Sequence, residues 1–324
     1  MPKALVCGAG GFIGNHLVSD LVNRGYYVIA VDRKLPEFSQ SLAQEFHVLD
    51  LTDPNQCRRV VHVGVDEVYQ LAADMGGAGY VFSGTNDCDI MMNSAAINLN
   101  VLRLVLDKHI PRLFYSSSAC IYPAHNQMNS LTPDLRESSA YPAAPDSEYG
   151  WEKLLGERLY LNAAKNYGLQ VRIARFHNVF GPRGTWQGGR EKSPAALCRK
   201  IAQASQGGEI EIWGSGSQTR SFLYIDECIE GIHRLMSSSY DQPLNIGSSR
   251  MISIRDLALT IAELAGKKIT IRNIPGPLGV QGRVSDNTLI QEVLGWQPPD
   301  NLEQGLKITY DWILEQIRNG NQTQ

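Results

Sequence analysis

Long hydrophobic runs are missing from this 324-residue sequence. The longest, such as Tyr26 to Val31, fall far short of the roughly 20 residues that span a bilayer, so no membrane segment is expected. A secretory leader is not expected either, since Met1-Pro2-Lys3 leads directly into a strand-like segment instead of a basic-then-apolar stretch. Charge of one sign is not in excess: 30 Lys+Arg face 33 Asp+Glu, a formal net charge of -3, which offers no footprint for nucleic acid. Cysteine is sparse, six in all, and no two have C-x-x-C spacing. That excludes a disulfide scaffold and a zinc site built on paired thiolates. Five of them (Cys7, Cys57, Cys88, Cys198 and Cys228) read as buried or partly buried free thiols in a reducing cytoplasm. No internal repeat or low-complexity tract is present beyond a polar tail, Asn319 to Gln324.

What is present is enough chain and enough apolar side chain, 43% of residues, to bury a sizeable core. The length favours two domains, or one large domain with a smaller companion. The first half alternates between two periods. Short apolar runs at Lys3–Cys7, Tyr26–Val31, Glu45–Leu49, Glu67–Ala72 and Arg112–Ser116 read as strands, and Val171–Phe176 as a further one. Between them, Phe12–Arg24, Asn86–Lys108 and Tyr149–Tyr167 carry helical spacing. Continuous apolar strands separated by helices predict an α/β fold, a doubly wound parallel sheet buried on both faces. After about residue 178 the pattern loosens. Asn178–Arg190 reads as loop; helices follow near Ser193–Ala204 and Ile225–Ser237, a strand near Glu209–Trp213, and a helical stripe over Leu257–Ala265. Pro275-Gly276-Pro277 punctuates the next loop.

Gly8-Ala9-Gly10-Gly11-Phe12-Ile13-Gly14 lies between the first strand and the first helix. Glycine is needed there for a tight turn, for close approach of backbone to a pyrophosphate and for helix–strand packing. The helix N-terminus then turns free N–H groups and a partial positive charge toward the phosphates. Asp32 ends the second strand, where a carboxylate accepts ribose hydroxyls and repels a 2′-phosphate, favouring NAD over NADP. Arg33 and Lys34 follow it and soften that preference.

Tyr149-Gly150-Trp151-Glu152-Lys153 places a phenol and an ammonium four residues apart on one helix face. The ammonium favours phenolate, so the tyrosine can exchange a proton with a substrate hydroxyl or carbonyl. Ser118, at the end of the preceding strand, is placed to hold the same oxygen.

The glycine fingerprint, Ser118 and Tyr149-x-x-x-Lys153 together resemble the extended short-chain dehydrogenase/reductase family of nucleotide-sugar enzymes, over essentially the whole chain. The resemblance implies a Rossmann-type NAD-binding domain over residues 1–177 and a smaller α/β domain, mainly 178–324, for a nucleoside diphosphate sugar. The chain is expected to return to the first domain, and the protein to form a homodimer. Carried over by resemblance, the cofactor-binding positions are Gly8, Gly11, Phe12, Ile13, Gly14, Asp32, Asp50, Leu51, Leu71 and Ala72, joined by Tyr149 and Lys153.

Five blocks go further: Ser116–Pro123 (SSSACIYP), Arg175–Phe180 (RFHNVF), Gly184–Lys192 (GTWQGGREK), Gln218–Phe222 (QTRSF) and Ile274–Asn287 (IPGPLGVQGRVSDN). They resemble the branch of the family that epimerises carbons 3 and 5 of GDP-mannose. The loop after Met75 is less alike, and Gly84–Asp89 differs locally. The chemistry explains why such a branch needs more than the Tyr/Lys pair. Oxidising carbon 4 to a ketone makes the protons on carbons 3 and 5 acidic, and exchanging them takes an acid/base group on each face of the ring. Cys120 lies two residues beyond Ser118, so in an extended segment both side chains point the same way. The resemblance assigns the facing acid/base pair to Cys120 and Lys192. A diphosphate calls for cations and donors, and Arg283, Lys200 and Arg220, with Asn178, Gln218 and Thr219, match the family's substrate-binding positions. Gly76 and Glu191 complete that set, which also takes in Ser118, Cys120, Tyr149 and Lys192. No metal is expected. Two other readings stay open: a 4-epimerase or 4,6-dehydratase of another nucleotide sugar, and a non-enzymatic NAD-binding sensor or scaffold.

Overall fold

The structure, a computed structural model, describes residues 1–60, 64–276 and 279–322. Pro277 and the last two residues of the polar tail therefore lie outside the described residues. The first half folds as strands and crossover helices in turn: β1 (Lys3–Cys7), α1 (Phe12–Asn23), β2 (Tyr27–Asp32), β3 (Glu45–Val48), α2 (Pro54–Val60), β4 (Glu67–Gln70), α3 (Ala78–Val81), α4 (Asp87–Asp107), β5 (Arg112–Ser118), α5 (Glu148–Tyr167) and β6 (Gln170–Phe176). The second half is more broken: β7 (Val179–Phe180), α6 (Ser193–Gln203), β8 (Gly208–Trp213), β9 (Thr219–Ser221), β10 (Leu223–Tyr224), α7 (Ile225–Ser237), β11 (Leu244–Ile246), β12 (Met251–Ser253), α8 (Ile254–Leu264), β13 (Ile269–Ile274), β14 (Gly282–Arg283), α9 (Thr288–Leu294) and α10 (Leu302–Gln322).

Seven strands form one parallel sheet in the order β11-β6-β5-β4-β1-β2-β3. The order reverses between β1 and β4, and in such sheets ligands bind outside the carboxyl ends of the strands at that switch point. Its strands are apolar on both faces because helices cover both. One core joins β1, β2 and β6 to α1, α6, α7 and α8; a second joins the opposite faces of β1, β4 and β5 to α4 and α5. Burial at roughly 25 cal/mol per Å² of apolar surface is what holds such a sandwich together. β11 belongs to this sheet although it follows residue 178. Three small sheets (β12-β9-β14, β13-β8 and β10-β7) are built from the remaining strands, all after residue 178.

Several expectations are corrected. Cys88 is exposed, not buried, because it opens α4 between Asp87 and Asp89 on the outward side. The stretch read as loop after Asn178 contains β7, which pairs with β10. The polar tail begins inside α10, a helix that the periodicity reading passed over. Leu302, Leu306, Tyr310 and Ile313 form its buried stripe, and the stripe outweighs the poor helix formers near its end.

Candidate active site

The glycine-rich turn after β1 is shaped by three close approaches. Gly8 has φ +84°, and a Cβ there would stand 2.8 Å from the amide N of Ala72. The turn thus lies flush against Leu71 and Ala72 at the end of β4. A Cβ on Gly10 would meet the Lys34 carbonyl at 2.2 Å, and one on Gly14 the Gly8 carbonyl at 2.1 Å. Asp32 ties the turn down: it accepts from the Gly10 amide at 3.0 Å and from the Lys34 amide at 3.2 Å. Burial raises the Asp32 carboxyl, and these backbone donors oppose it.

α1 opens after Gly11 with no side-chain cap and no acid in its first turn, so its leading amides remain available to an anion. Asn15 Oδ1, buried in the same helix, has no hydrogen-bond partner among the described residues. Phe12 and Ile13 are half-buried beside it. Asp50 and Leu51 follow β3, one strand beyond Asp32; Asp50 accepts from the Thr52 amide and hydroxyl at 2.9 and 2.8 Å. A cradle without room for a Cβ, facing uncapped amides and an unpartnered side-chain acceptor, fits a dinucleotide. Gly14→Ala is expected to force the turn open. The variant should be purified with less than about a tenth of the NAD that wild type carries, a figure that follows from a clash worth roughly 1.4 kcal/mol or more. Nucleotide released on denaturation measures it.

The reacting side groups stand at the next strand ends. Ser118 closes β5, and its hydroxyl accepts from the Cys120 amide at 3.2 Å. Residues Ala119–Ile121 make a tight 3-10 turn, so Ser118 and Cys120 do not share an extended segment as the two-residue spacing predicted. Turn formation, not strand alternation, orients the thiol. Helix α5 is pressed onto this turn at Gly150, where a Cβ would lie 2.2 Å from the Cys120 carbonyl. The absence of a side chain there brings Tyr149 into a cluster with Val81, Ile90 and the half-buried Cys120. Ser147 caps the helix, accepting from the Gly150 amide at 3.3 Å.

Lys153 donates from Nζ to the Ser116 carbonyl at 2.9 Å and sits 5.8 Å from the Tyr149 ring centroid. Burial pushes the Tyr149 phenol up, helped by the charges of Cys120 and Glu152; a hydrogen bond to Ser118 and the Arg283 charge oppose it. Burial lowers the Lys153 ammonium, and the charges of Glu152 and Cys120 oppose that.

Arg283 is placed against the thiol. Its Nη1 donates to Cys120 Sγ at 3.1 Å, its Nε to Gln127 Oε1 at 2.6 Å and its Nη2 to Asp146 Oδ2 at 2.8 Å. Both members of the Arg283–Asp146 pair are almost fully buried. The guanidinium resists burial and is raised by Cys120 and Asp146. Sequence reasoning put Arg283 among the diphosphate cations and missed Gln127 and Asp146. Those partners stand 156 and 137 residues away, and no local spacing signals them.

Lys192 precedes α6 and is half-buried, with no hydrogen bond or ion pair at its ammonium among the described residues. Burial lowers it, and attraction to Cys120 and Cys228 opposes that. Glu191 accepts from Arg199 Nη2 at 2.8 Å and from the Gly189 amide at 2.7 Å. Arg220 and Arg283 are register partners on β9 and β14, so two cations stand side by side. The Arg220 guanidinium, lowered by burial and by Arg283 to about 10, donates to the Thr219 and Val280 carbonyls. Thr219 donates to the Ser130 carbonyl, and Asn178, at φ +40°, donates to the Ser221 carbonyl at 2.9 Å. Lys200 and Gln218 reach toward β8 instead, donating to the carbonyls of Glu211 (2.7 Å) and Trp213 (3.2 Å). Gly76 lies in the loop after β4, where a Cβ would collide with Tyr80.

The chain is similar over most of its length to known proteins. A GDP-mannose 3,5-epimerase from Arabidopsis thaliana is 49% identical over 97% of this chain and 83% of its own length. GDP-mannose 3,5-epimerase 1 of Oryza sativa subsp. japonica is 48% identical over 96% of this chain and 82% of its own. Among solved structures, a UDP-glucose 4-epimerase of Thermotoga maritima with UDP-glucose superposes with a TM-score of 0.85 at 25% identity, covering 97% of this chain and 99% of that one. The family model for NAD dependent epimerases and dehydratases matches residues 4–247, so the chain belongs to the NAD-dependent epimerase/dehydratase family.

Proposed function

We propose that this protein is an isomerase converting GDP-mannose to GDP-L-galactose by epimerisation at carbons 3 and 5. The observation that carries the reading is a half-buried thiol, Cys120, held by Arg283 in the same cluster as Tyr149, with the ammonium of Lys192 electrostatically coupled to it. A simple 4-epimerase needs neither the thiol nor the second ammonium. The glycine cradle and Asp32 would hold the pyrophosphate and ribose of NAD, whose nicotinamide would supply reversible hydride transfer at carbon 4 of the sugar.

The chain's own groups do the proton work. Tyr149, held by Ser118 and supported by Lys153, takes the proton from the carbon 4 hydroxyl and returns it at the end. With a ketone at carbon 4, Cys120 removes the proton from carbon 5 on one face and Lys192 delivers one on the other; the same pair then serves carbon 3. Each carbanion is held as an enolate, so no free negative charge develops on carbon. Arg220, backed by Asn178 and Thr219, supports a diphosphate at the β9–β14 edge.

The division of labour follows the sheet: residues 1–177 hold NAD, and 178–324 mainly the nucleotide sugar. Free thiols at all six cysteines suit a reducing cytoplasm. A homodimer is supported by exposed Met92 and Leu99 on α4 and Trp151 and Leu155 on α5, large apolar side chains spaced to share a face on helices that pack together. Among the described residues no helix is long and apolar enough to cross a membrane.

Turnover of a panel of nucleotide sugars tests the reading. GDP-mannose should yield GDP-L-galactose by NMR while UDP-glucose is untouched. Turnover of UDP-glucose to UDP-galactose with GDP-mannose unchanged would replace it by the 4-epimerase alternative.

A further inference from the structure

Two loops meet over the site, and one pair of side chains joins them. The first follows β4 through Gly76 and Gly77 into α3, which carries Tyr80; the second, residues 184–192, ends on Lys192. The guanidinium carbon of Arg190 lies 4.0 Å from the centroid of the Tyr80 ring. Beneath that contact the Gly77 amide donates to the Arg190 carbonyl at 3.0 Å. A Cβ on Gly77 would stand 2.4 Å from the Glu191 carbonyl, so the backbones touch at the two residues before Lys192.

Each side of this junction is tied to a long helix. The Tyr80 hydroxyl donates to Asp74 Oδ1 at 2.9 Å. Asp74 accepts from Asn93 at 2.9 Å, and its amide donates to Ser94 Oγ at 2.9 Å, both on α4. Across the junction Arg199 of α6 holds Glu191 at 2.8 Å and the Trp186 carbonyl at 3.0 Å. Between those anchors the second loop passes through Gly188 and Gly189, at φ +88° and +84°, where a Cβ would touch nothing. That stretch of backbone has little packing to fix it. Tyr80 also packs against the cluster of Tyr149, Ile90 and Cys120, so the ring bridges the two halves of the site.

We propose that Tyr80 and Arg190 are positioning residues: their stacked pair latches the 184–192 loop to the loop after β4 and so sets the ammonium of Lys192 opposite Cys120. This rests on the 3,5-epimerase reading. The latch touches no reacting atom. It acts on the distance across which a proton reaches the sugar, and a misplacement near 1 Å there costs on the order of 100-fold. An arginine over an aromatic face is suited to this, because the contact is directional yet separable without breaking a buried ion pair.

The test measures two steps in the same holoenzyme on GDP-mannose: formation of reduced nicotinamide by absorbance, and incorporation of solvent deuterium at carbons 3 and 5. Arg190→Ala and Tyr80→Leu should each slow deuterium incorporation about 10-fold to 100-fold. Nicotinamide reduction and bound NAD should stay within about 2-fold of wild type, a change worth well under 1 kcal/mol. Tyr80→Phe keeps the ring and loses only the hydrogen bond to Asp74, so it should slow deuterium incorporation less than Tyr80→Leu does, and an equal loss would count against the stacked contact. The Tyr80→Leu/Arg190→Ala double variant should be no slower than the slower single, since one contact is lost either way. Unchanged incorporation in Arg190→Ala, or equal loss of both steps, overturns the latch. Wild-type protein that turns over GDP-mannose without incorporating deuterium overturns the epimerase reading and the latch with it. Incorporation in wild type and in Arg190→Ala alike overturns the latch alone.

Discussion

Cys120→Ala is expected to lower proton exchange at carbons 3 and 5 of the sugar by at least about 100-fold, the usual contribution of one general acid–base group. The thiol sits where a base is needed: half-buried, 3.1 Å from Arg283 Nη1, in a cluster with Tyr149. Neighbours confine it. Gly150 lets α5 press on the turn that carries it. Cofactor binding should survive, because the glycine cradle after β1 and the Ala119–Ile121 turn after β5 are separate features. Cys120→Ala should therefore still oxidise carbon 4, and a small reduced-nicotinamide signal should build up on mixing with GDP-mannose. NMR of the recovered sugar and absorbance near the nicotinamide band check the two halves. Exchange within a few-fold of wild type would remove Cys120 from the mechanism.

Tyr149→Phe is expected to fail earlier. Without the phenol the carbon 4 hydroxyl has no acceptor for its proton, and oxidation should slow by roughly 100-fold to 10,000-fold. No ketone means no acidic proton, so exchange at both carbons should fall with it even though Cys120 and Lys192 are intact. The two variants thus separate by signature: Cys120→Ala keeps nicotinamide reduction and loses exchange, whereas Tyr149→Phe loses both. Stopped-flow absorbance on each variant distinguishes them. A Tyr149→Phe protein that reduces nicotinamide at the wild-type rate would move the carbon 4 base elsewhere. The Tyr149 phenol is held up by burial and by the charges of Cys120 and Glu152.

Much of the cofactor side could be read from local spacing. Gly8 to Gly14 lie within one turn and Tyr149 and Lys153 within one turn of helix, and both kinds of short-range geometry survive in any packing of the chain. The parallel sheet followed from continuous apolar strands for the same reason. What escaped depends on chain segments far apart in sequence. Arg283 reads as a free cation until Gln127 and Asp146 are seen around it. The thiol of Cys120 reads as the neighbour of Ser118 along a strand until the 3-10 turn is seen. Tyr80 and Arg190 carried no signal, because an aromatic on the short α3 and a loop arginine are ordinary until they stack. The buried stripe of α10 was legible at helical period, but polar residues between its apolar ones masked it. Cys88 shows the limit of composition: cysteine is usually buried, and this one opens a helix on the surface.

The most direct measurement is the distribution of solvent deuterium in sugar recovered from wild-type protein and GDP-mannose in deuterium oxide. Deuterium should appear at carbons 3 and 5, with carbon 4 retaining its original hydrogen because the hydride it gives up is the one returned. Turnover with no deuterium at either carbon 3 or carbon 5 would contradict the account.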